Sequence, residues 1–374
     1  MSEQISEKIV SRKPKDDAFR QQRMLSWQPI MTPLKVVIIF FAVAVAFIPT
    51  GDYLIKQSNA IYEDTYEYSA NSDCDVSKTC TYTFTISEDI SGPLYVYYKL
   101  DNFYQNHRRY VASRSTAQLM GANLNYNDVS SNCDPIVKVD SMLLNPCGLI
   151  AASYFTDEIQ LSPSTNAVMD ETGIIWPSDK EKYIQVEGFD YIQCTNAACK
   201  LVCPVASTDY SDVSAADCDN YGLSKGCKCW GDGTNSYLFY YPNDDTVQYL
   251  YETYPYTTTN TITPISGVES EHFIVWMRTA SLPTFRKLYG IIDSDFSKGD
   301  KIKFTIKSNF EVDSFDGTKS LVISTISAYG GKNSYLGVAY IVVGSFSLFL
   351  GALFGIRSYF NVRQFGDPDI LHWD

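Results

Sequence analysis

Two apolar runs frame the chain. Tyr335 to Ile356 reads YLGVAYIVVGSFSLFLGALFGI, 22 residues without a charge, long enough at helical rise to cross a bilayer's hydrocarbon core. It lacks the polar face that a soluble helix of this length would need. Val36 to Ile48, VVIIFFAVAVAFI, is shorter. Taken from Leu34 through Ile55, with Lys35 snorkelling to the interface, it also reaches membrane length. Thirty-five residues precede this run, and FIPTGDYLI offers no small-x-small cleavage site, so it reads as a retained span rather than a signal peptide. The pattern therefore predicts a tail over 1–33, a span over 34–55, an ectodomain over 56–334, a second span over 335–356 and a tail over 357–374.

Between the spans the period changes to two. From Thr81 to Glu88, Tyr82, Phe84 and Ile86 share one face while Thr81, Thr83 and Thr85 share the other, the signature of a half-buried strand. Further strands are expected over Pro93–Leu100, Tyr237–Tyr241, Phe273–Met277, Lys301–Lys307 and Leu321–Ser327. Asp101 is placed to cap a short helix running through NFYQNHRRYVASRSTAQL until Gly121 stops it. Cys194 to Trp230 shows no period and reads as a disulfide-stapled insertion rather than a core element. The fold class is a membrane protein, with two transmembrane helices flanking a mainly β, antiparallel, sandwich-like ectodomain with short helical insertions.

Charge orients this hairpin. The chain carries a net charge of −13, against the basic stripe that nucleic acid requires. Residues 1–35 nevertheless hold seven Lys or Arg against four acids, which places the N-terminal tail in the cytoplasm by the positive-inside rule. Two spans return the C-terminal tail to that side and leave the loop lumenal or extracellular. The ten cysteines, Cys74, Cys80, Cys133, Cys147, Cys194, Cys199, Cys203, Cys218, Cys227 and Cys229, all fall in the loop. An even number confined there predicts five disulfides. Zinc is the rival reading for Cys227-Lys-Cys229 and the Cys194, Cys199, Cys203 trio, although only His107, His272 and His372 could complete such a set.

Catalytic signatures are missing: no G-x-S-x-G, H-E-x-x-H, G-x-x-x-x-G-K-[ST] or G-x-G-x-x-G occurs, so neither an enzyme nor a cofactor site is expected. Candidate contacts remain. Trp27 is either an interfacial residue of a disordered tail or a partner contact. His107, Arg108, Arg109 and Arg114 form a basic spot, either solvated and paired or presented to a partner. The stretch from Trp276 to Gly290 combines Trp276, Arg278, Phe285, Arg286 and Lys287, hot-spot residue types at interfaces. The alternative there is that Trp276 and Phe285 are core and the basic groups pair within the domain. Gly337, Gly344 and Gly351 recur every seven residues along the second span and make a close-packing seam, for the first span or for another protein's helix.

Seven stretches, in order, carry a resemblance: AFRQQRMLSWQPI, FIPTG, DNFYQNHRRYVASR, NPCGLIA, GIIWPSDK, WMRTASLPTFRKLYG and LVISTISAYGGKNSYLGVAYIVVG. The chain resembles the cell-division-control-protein-fifty family, also called the ligand-effect-modulator-three family. The resemblance implies an accessory, non-catalytic β-subunit of a type-IV P-type ATPase, a phospholipid flippase. In such a pair the ATPase catalytic subunit is the partner and membrane phospholipids are the surroundings. It also implies an ectodomain that caps the pump's exoplasmic loops, an N-terminal tail along its cytoplasmic side, and the disulfides Cys74–Cys80 and Cys133–Cys147. The six cysteines from Cys194 to Cys229 lie outside the shared motifs and are expected to pair among themselves. No Asn-x-Ser/Thr sequon occurs, although many relatives are N-glycosylated. A free-standing surface receptor or adhesion protein is the rival class; it should carry signalling motifs in its tails.

Overall fold

The structure is a computed structural model that describes residues 15–25, 32–163, 165, 167–205, 210–223, 225–253 and 262–360. The chain divides into two units, residues 57–333 and the two terminal segments, 1–56 with 334–374.

The terminal unit contains helices Pro33–Asn59, which ends in the other unit, and Tyr335–Phe360. Both are long and apolar enough to cross a membrane. They outrun the sequence boundaries because their ends continue into polar turns such as Asp52–Lys56, an i,i+4 ion pair of 2.8 Å.

The unit from 57 to 333 is mainly β. In chain order its strands among the described residues are β1 Glu63–Glu67, β2 Thr79–Thr85, β3 Leu94–Asp101, β4 Lys138–Val139, β5 Met142–Asn145, β6 Glu158–Leu161, β7 Met169–Asp170 and β8 Asp190–Gln193. There follow β9 Ser211–Asp212, β10 Lys228–Gly231, β11 Ser236–Tyr240, β12 Val247–Tyr249, β13 Phe285–Ile292, β14 Lys301–Lys307 and β15 Thr318–Ser324. Two antiparallel sheets, β1-β15-β3-β13-β7 and β2-β14-β6, share the main core. The period-two reading explains this. Ile302, Phe304 and Ile306 are fully buried along β14, and Phe84 and Ile86 meet them from β2 and its C-terminal flank. Tyr98 of β3 stacks on Phe155, with ring centroids 3.9 Å apart. A small sheet, β12-β5-β4, includes one parallel pair.

A buried ionic knot fastens the two main sheets. Lys319 of β15 lies 2.8 Å from the Asp157 carboxylate just before β6, and its ammonium also donates to Ser308 Oγ and the Phe310 carbonyl after β14. Asp157 accepts from the Tyr68 hydroxyl at 2.6 Å and from the Asn309 and Phe310 amides. Burial and the Asp157 charge hold the Tyr68 phenol well above its ordinary pKa. Both charges are thus hydrogen-bonded on several sides, the condition under which a buried pair is tolerated.

Three sequence expectations are corrected. Phe273–Met277 is not a strand but part of the helix Glu271–Met277; His272, Phe273, Ile274, Trp276 and Met277 are all buried, and among them Phe273, Trp276 and Met277 stand at the i, i+3, i+4 spacing of a helix face rather than alternating. The helix expected after Asp101 is two short ones, Arg108–Ala112 and Thr116–Leu119, while Asp101 itself ends β3. The cysteine-rich insertion is more than a stapled loop, because β8-β11-β10-β9 form a sheet over it. Its six cysteines pair as Cys194–Cys199, Cys203–Cys229 and Cys218–Cys227 and pack with Leu223 and Leu238 into a separate core. Cystine supplies the apolar volume that a segment so poor in large aliphatics lacks. The remaining disulfides are Cys74–Cys80 and Cys133–Cys147.

Candidate partner surface

The widely separated stretches DNFYQNHRRYVASR, NPCGLIA and WMRTASLPTFRKLYG meet in space. Phe103 lies at the centre, its ring 5.6 Å from Trp276, 5.9 Å from Tyr110 and 6.3 Å from Phe285. Trp276 is fully buried and its indole N–H donates to the Ile150 carbonyl at 2.8 Å. Around this aromatic centre runs a polar layer. Gln105, also fully buried, accepts from the Ala280 amide at 2.9 Å, and Asn106 donates to the Ser281 carbonyl at 2.9 Å. The Tyr110 and Ser153 hydroxyls are 2.8 Å apart, and burial pushes the Tyr110 phenol up to about 12, so it stays neutral.

The break between the two short helices follows from the same layer. Ser113 donates through its hydroxyl to the Cys133 carbonyl and accepts there from the Leu149 amide. Gly148 has φ +107°, and a Cβ on it would stand 2.3 Å from the Ser113 carbonyl oxygen. Only glycine permits both the left-handed backbone and this approach. Gln118 bonds the Leu144 carbonyl and the Cys147 amide at 3.0 Å each. Local helix propensity yields to these long-range bonds.

Lys287 belongs to this interior. It is 7 % exposed, and its ammonium donates to the carbonyls of Val275, Trp276 and Arg278 at 2.8, 2.7 and 2.5 Å. It thereby satisfies carbonyls at the C-terminal end of the Glu271–Met277 helix. Burial first, and then the neighbouring Arg278 charge, pull its pKa down to about 7. Trp276, named as a contact candidate from the sequence, therefore offers no surface, and Lys287, another such candidate, reaches the surface only as a sliver of groove wall with its ammonium turned inward. Phe285 is half-buried against the core, and Arg286 is tied to Glu63 at 2.6 Å across the Tyr97 ring.

What remains outside is narrower than the sequence suggested. Arg108 and Arg109 are exposed, with Arg109 3.5 Å from exposed Asp134. Arg278 is 64 % exposed and 3.5 Å from Asp179. Sequence reasoning missed three exposed apolar groups on the same elements, Tyr104, Trp176 and Leu282. Phe103 donates its amide to the Pro283 carbonyl, which brings the Tyr104 and Leu282 segments together, and the Arg278–Asp179 pair brings in Trp176. Trp176 stands in GIIWPSDK, and the signal was an aromatic beside a proline in a segment with no strand or helix period. A groove of about 280 Å³ opens between Ile174–Trp176 with Asp179, Ile274 and Val275 with Arg278–Ala280, and Arg286–Leu288. Trp27 lies outside the described residues.

In the terminal unit the glycine seam is taken by the chain's own first span. A Cβ on Gly337 would lie 2.8 Å from the Gly51 carbonyl oxygen, one on Gly344 2.8 Å from Ile48 Cγ1, and one on Gly351 3.2 Å from Phe40 Cβ. Phe47 and Tyr340 pack at 5.0 Å beside them. Small residues let the two backbones approach, so this seam closes within the chain rather than on another protein's helix. The faces left outward carry Val342, Phe346, Phe349 and Leu353.

The fold and this surface define a class: a disulfide-bonded β ectodomain carried between two helices of membrane-spanning length, with no catalytic constellation recognised in its sequence. Residues 49–364 match the LEM3 (ligand-effect modulator 3) family / CDC50 family, and the chain belongs to that family. It is similar to "ALA-interacting subunit 3" of Arabidopsis thaliana, 34% identical over 97% of this chain and 91% of the relative. It is 34% identical to "Cell cycle control protein 50A" of Bos taurus over 92% of this chain and 88% of that protein. "Phospholipid-transporting ATPase accessory subunit CRF1" of Saccharomyces cerevisiae is 28% identical, over 97% and 90%.

Proposed function

We propose that this chain is the non-catalytic β-subunit of a phospholipid-transporting type-IV P-type ATPase. The observation that carries the reading is membership of a family in which several relatives, matched along nearly their whole lengths, are named as accessory or interacting subunits. The pump hydrolyses ATP and moves lipid. This chain assists its folding, its exit from the endoplasmic reticulum and its transport cycle. The physical logic is linkage: a partner that binds only the folded pump stabilises it, and one that prefers a given state of the cycle raises that state's population. Both tails lie in the cytoplasm and the ectodomain in the lumen or outside, a reading supported by the basic N-terminal tail and the loop-confined disulfides. The chain resides in the secretory route, in the endoplasmic reticulum, Golgi, endosome or plasma membrane. The contact surface on the ectodomain comprises Arg108, Arg109, Arg278, Trp176, Tyr104 and Leu282.

Affinity purification from native membranes tests the assignment. A large ATPase should co-purify, and the chain alone should hydrolyse no ATP. Normal export of the chain with every type-IV ATPase deleted would overturn it and favour a free-standing receptor. Protease added to sealed microsomes should trim the tails and spare residues 56–334; cleavage within that segment from the cytoplasmic side would reverse the topology.

A further inference from the structure

The open edge of β13 is the feature that the fold leaves without a structural use. On one side β13 pairs with β3 from Phe285↔Leu100 to Ile292↔Leu94, with a single register shift at Tyr289. On the other side β7 covers only Ile291 and Ile292. Among the described residues no strand pairs with Phe285–Leu288 on that side. The groove described above lies along this gap. Arg286, Lys287 and Leu288 all line it, and since successive side chains of a strand point to opposite faces, a cavity that touches all three meets the strand's edge. A row of unpaired amides and carbonyls is a template for another strand.

We propose that an exoplasmic segment of the pump adds to this edge as an extended strand, antiparallel to β13 and continuing the line begun by β7. This deepens the subunit reading and rests on it. About four residues fill the gap, since Phe285–Leu288 extends about 13 Å at strand rise. The segment carries a carboxylate. In a chain of net charge −13, the groove is lined by Arg278, Arg286 and Lys287 against Asp179 alone. Glu63 already holds Arg286, and backbone carbonyls hold Lys287. Arg278, exposed and paired with Asp179 at a long 3.5 Å, is the lining cation whose present partner an incoming acid can replace. Trp176 forms the opposite wall and supplies apolar area of the kind that anchors interfaces.

The test uses the full chain purified with and without its pump. Hydrogen exchange over residues 284–290 should be fast at the outward amides of the free chain and should slow at least tenfold in the complex. A photo-crosslinking residue at Trp176 should capture one extended exoplasmic segment of the ATPase containing Asp or Glu, whereas the same residue at Tyr191, on β8 of the separate four-stranded sheet, should not. Arg278→Glu, an exposed change that leaves the disulfides intact, should lower pump recovery about tenfold, and an acid-to-Arg change in the captured segment should restore it. A complex that forms with unchanged exchange at 284–290 would overturn strand addition and leave the subunit assignment standing. So would protection of these amides already in the free chain, which would mean that its own residues cover the edge. Failure of any ATPase to co-purify with the unaltered chain would overturn the assignment and this proposal together.

Discussion

Replacing Lys319 by Met tests whether the buried ionic knot, rather than apolar burial alone, holds the two main sheets in place. The substitution keeps most of the side-chain volume and removes the ammonium. Asp157 then keeps the Tyr68 hydroxyl and the Asn309 and Phe310 amides, but loses the opposite charge 2.8 Å away. Ser308, fully buried, and the Phe310 carbonyl lose their donor. Breaking one side of a buried pair costs about 3 to 5 kcal/mol, because the remaining charge is left uncompensated. At about 2 °C per kcal/mol for an ectodomain of this size, melting should fall by about 6 to 10 °C. Thermal unfolding of the purified full-length chain in detergent measures this. Removing both charges, with Lys319→Met and Asp157→Asn together, should recover at least half the loss, because the charge left in the low-dielectric interior is then gone. A single-variant shift below about 2 °C would show that the knot is energetically idle and refute the reasoning. A double variant no better than the single would show that hydrogen-bond loss, not uncompensated charge, sets the cost.

Other perturbations separate the remaining parts of the fold. Trp276→Ala should destabilise by about 3 to 5 kcal/mol and leave the chain in the endoplasmic reticulum; normal folding with weakened pump recovery would return Trp276 to the surface. Cysteines placed at Phe47 and Tyr340 should cross-link in the parent, and Gly344→Leu should abolish that cross-link by colliding with Ile48; an undiminished yield would deny the seam. Opening Cys203–Cys229, whose partners are 26 residues apart, should cost about 3.5 kcal/mol by loop entropy, read as a lower melting temperature of the paired Ser variant. For Lys287 the folded pKa, about 7, lies below the unfolded value. Between these two the unfolded chain holds a proton that the folded chain has released, so stability rises with pH through that window. The parent should therefore gain on Lys287→Met from pH 6 to pH 9, as measured by denaturant unfolding. A difference independent of pH would show that the three carbonyls keep the ammonium charged.

The segments whose burial is one-sided and local could be read from the chain alone. The two spans, β2, β3, β11 and β14 follow from period or uninterrupted apolarity, because each buries a face or a circumference whose spacing is written in consecutive residues. Charge asymmetry and loop-confined cysteines likewise support the topology proposed here, and seven ordered motifs were enough for the family. Tertiary structure alone decided what depends on partners distant in sequence. The 271–277 segment is a helix because Trp276 must reach the Ile150 carbonyl and Lys287 must reach the helix's last carbonyls. The helix after Asp101 breaks because Ser113 and Gln118 are claimed by Cys133, Leu144, Cys147 and Leu149. Aromatic and basic residues that look alike in sequence, Trp276 and Trp176 or Lys287 and Arg278, end on opposite sides of the surface. Their side chains have the same chemistry in either place, and only the packing of elements far apart in the chain determines which of them loses contact with water.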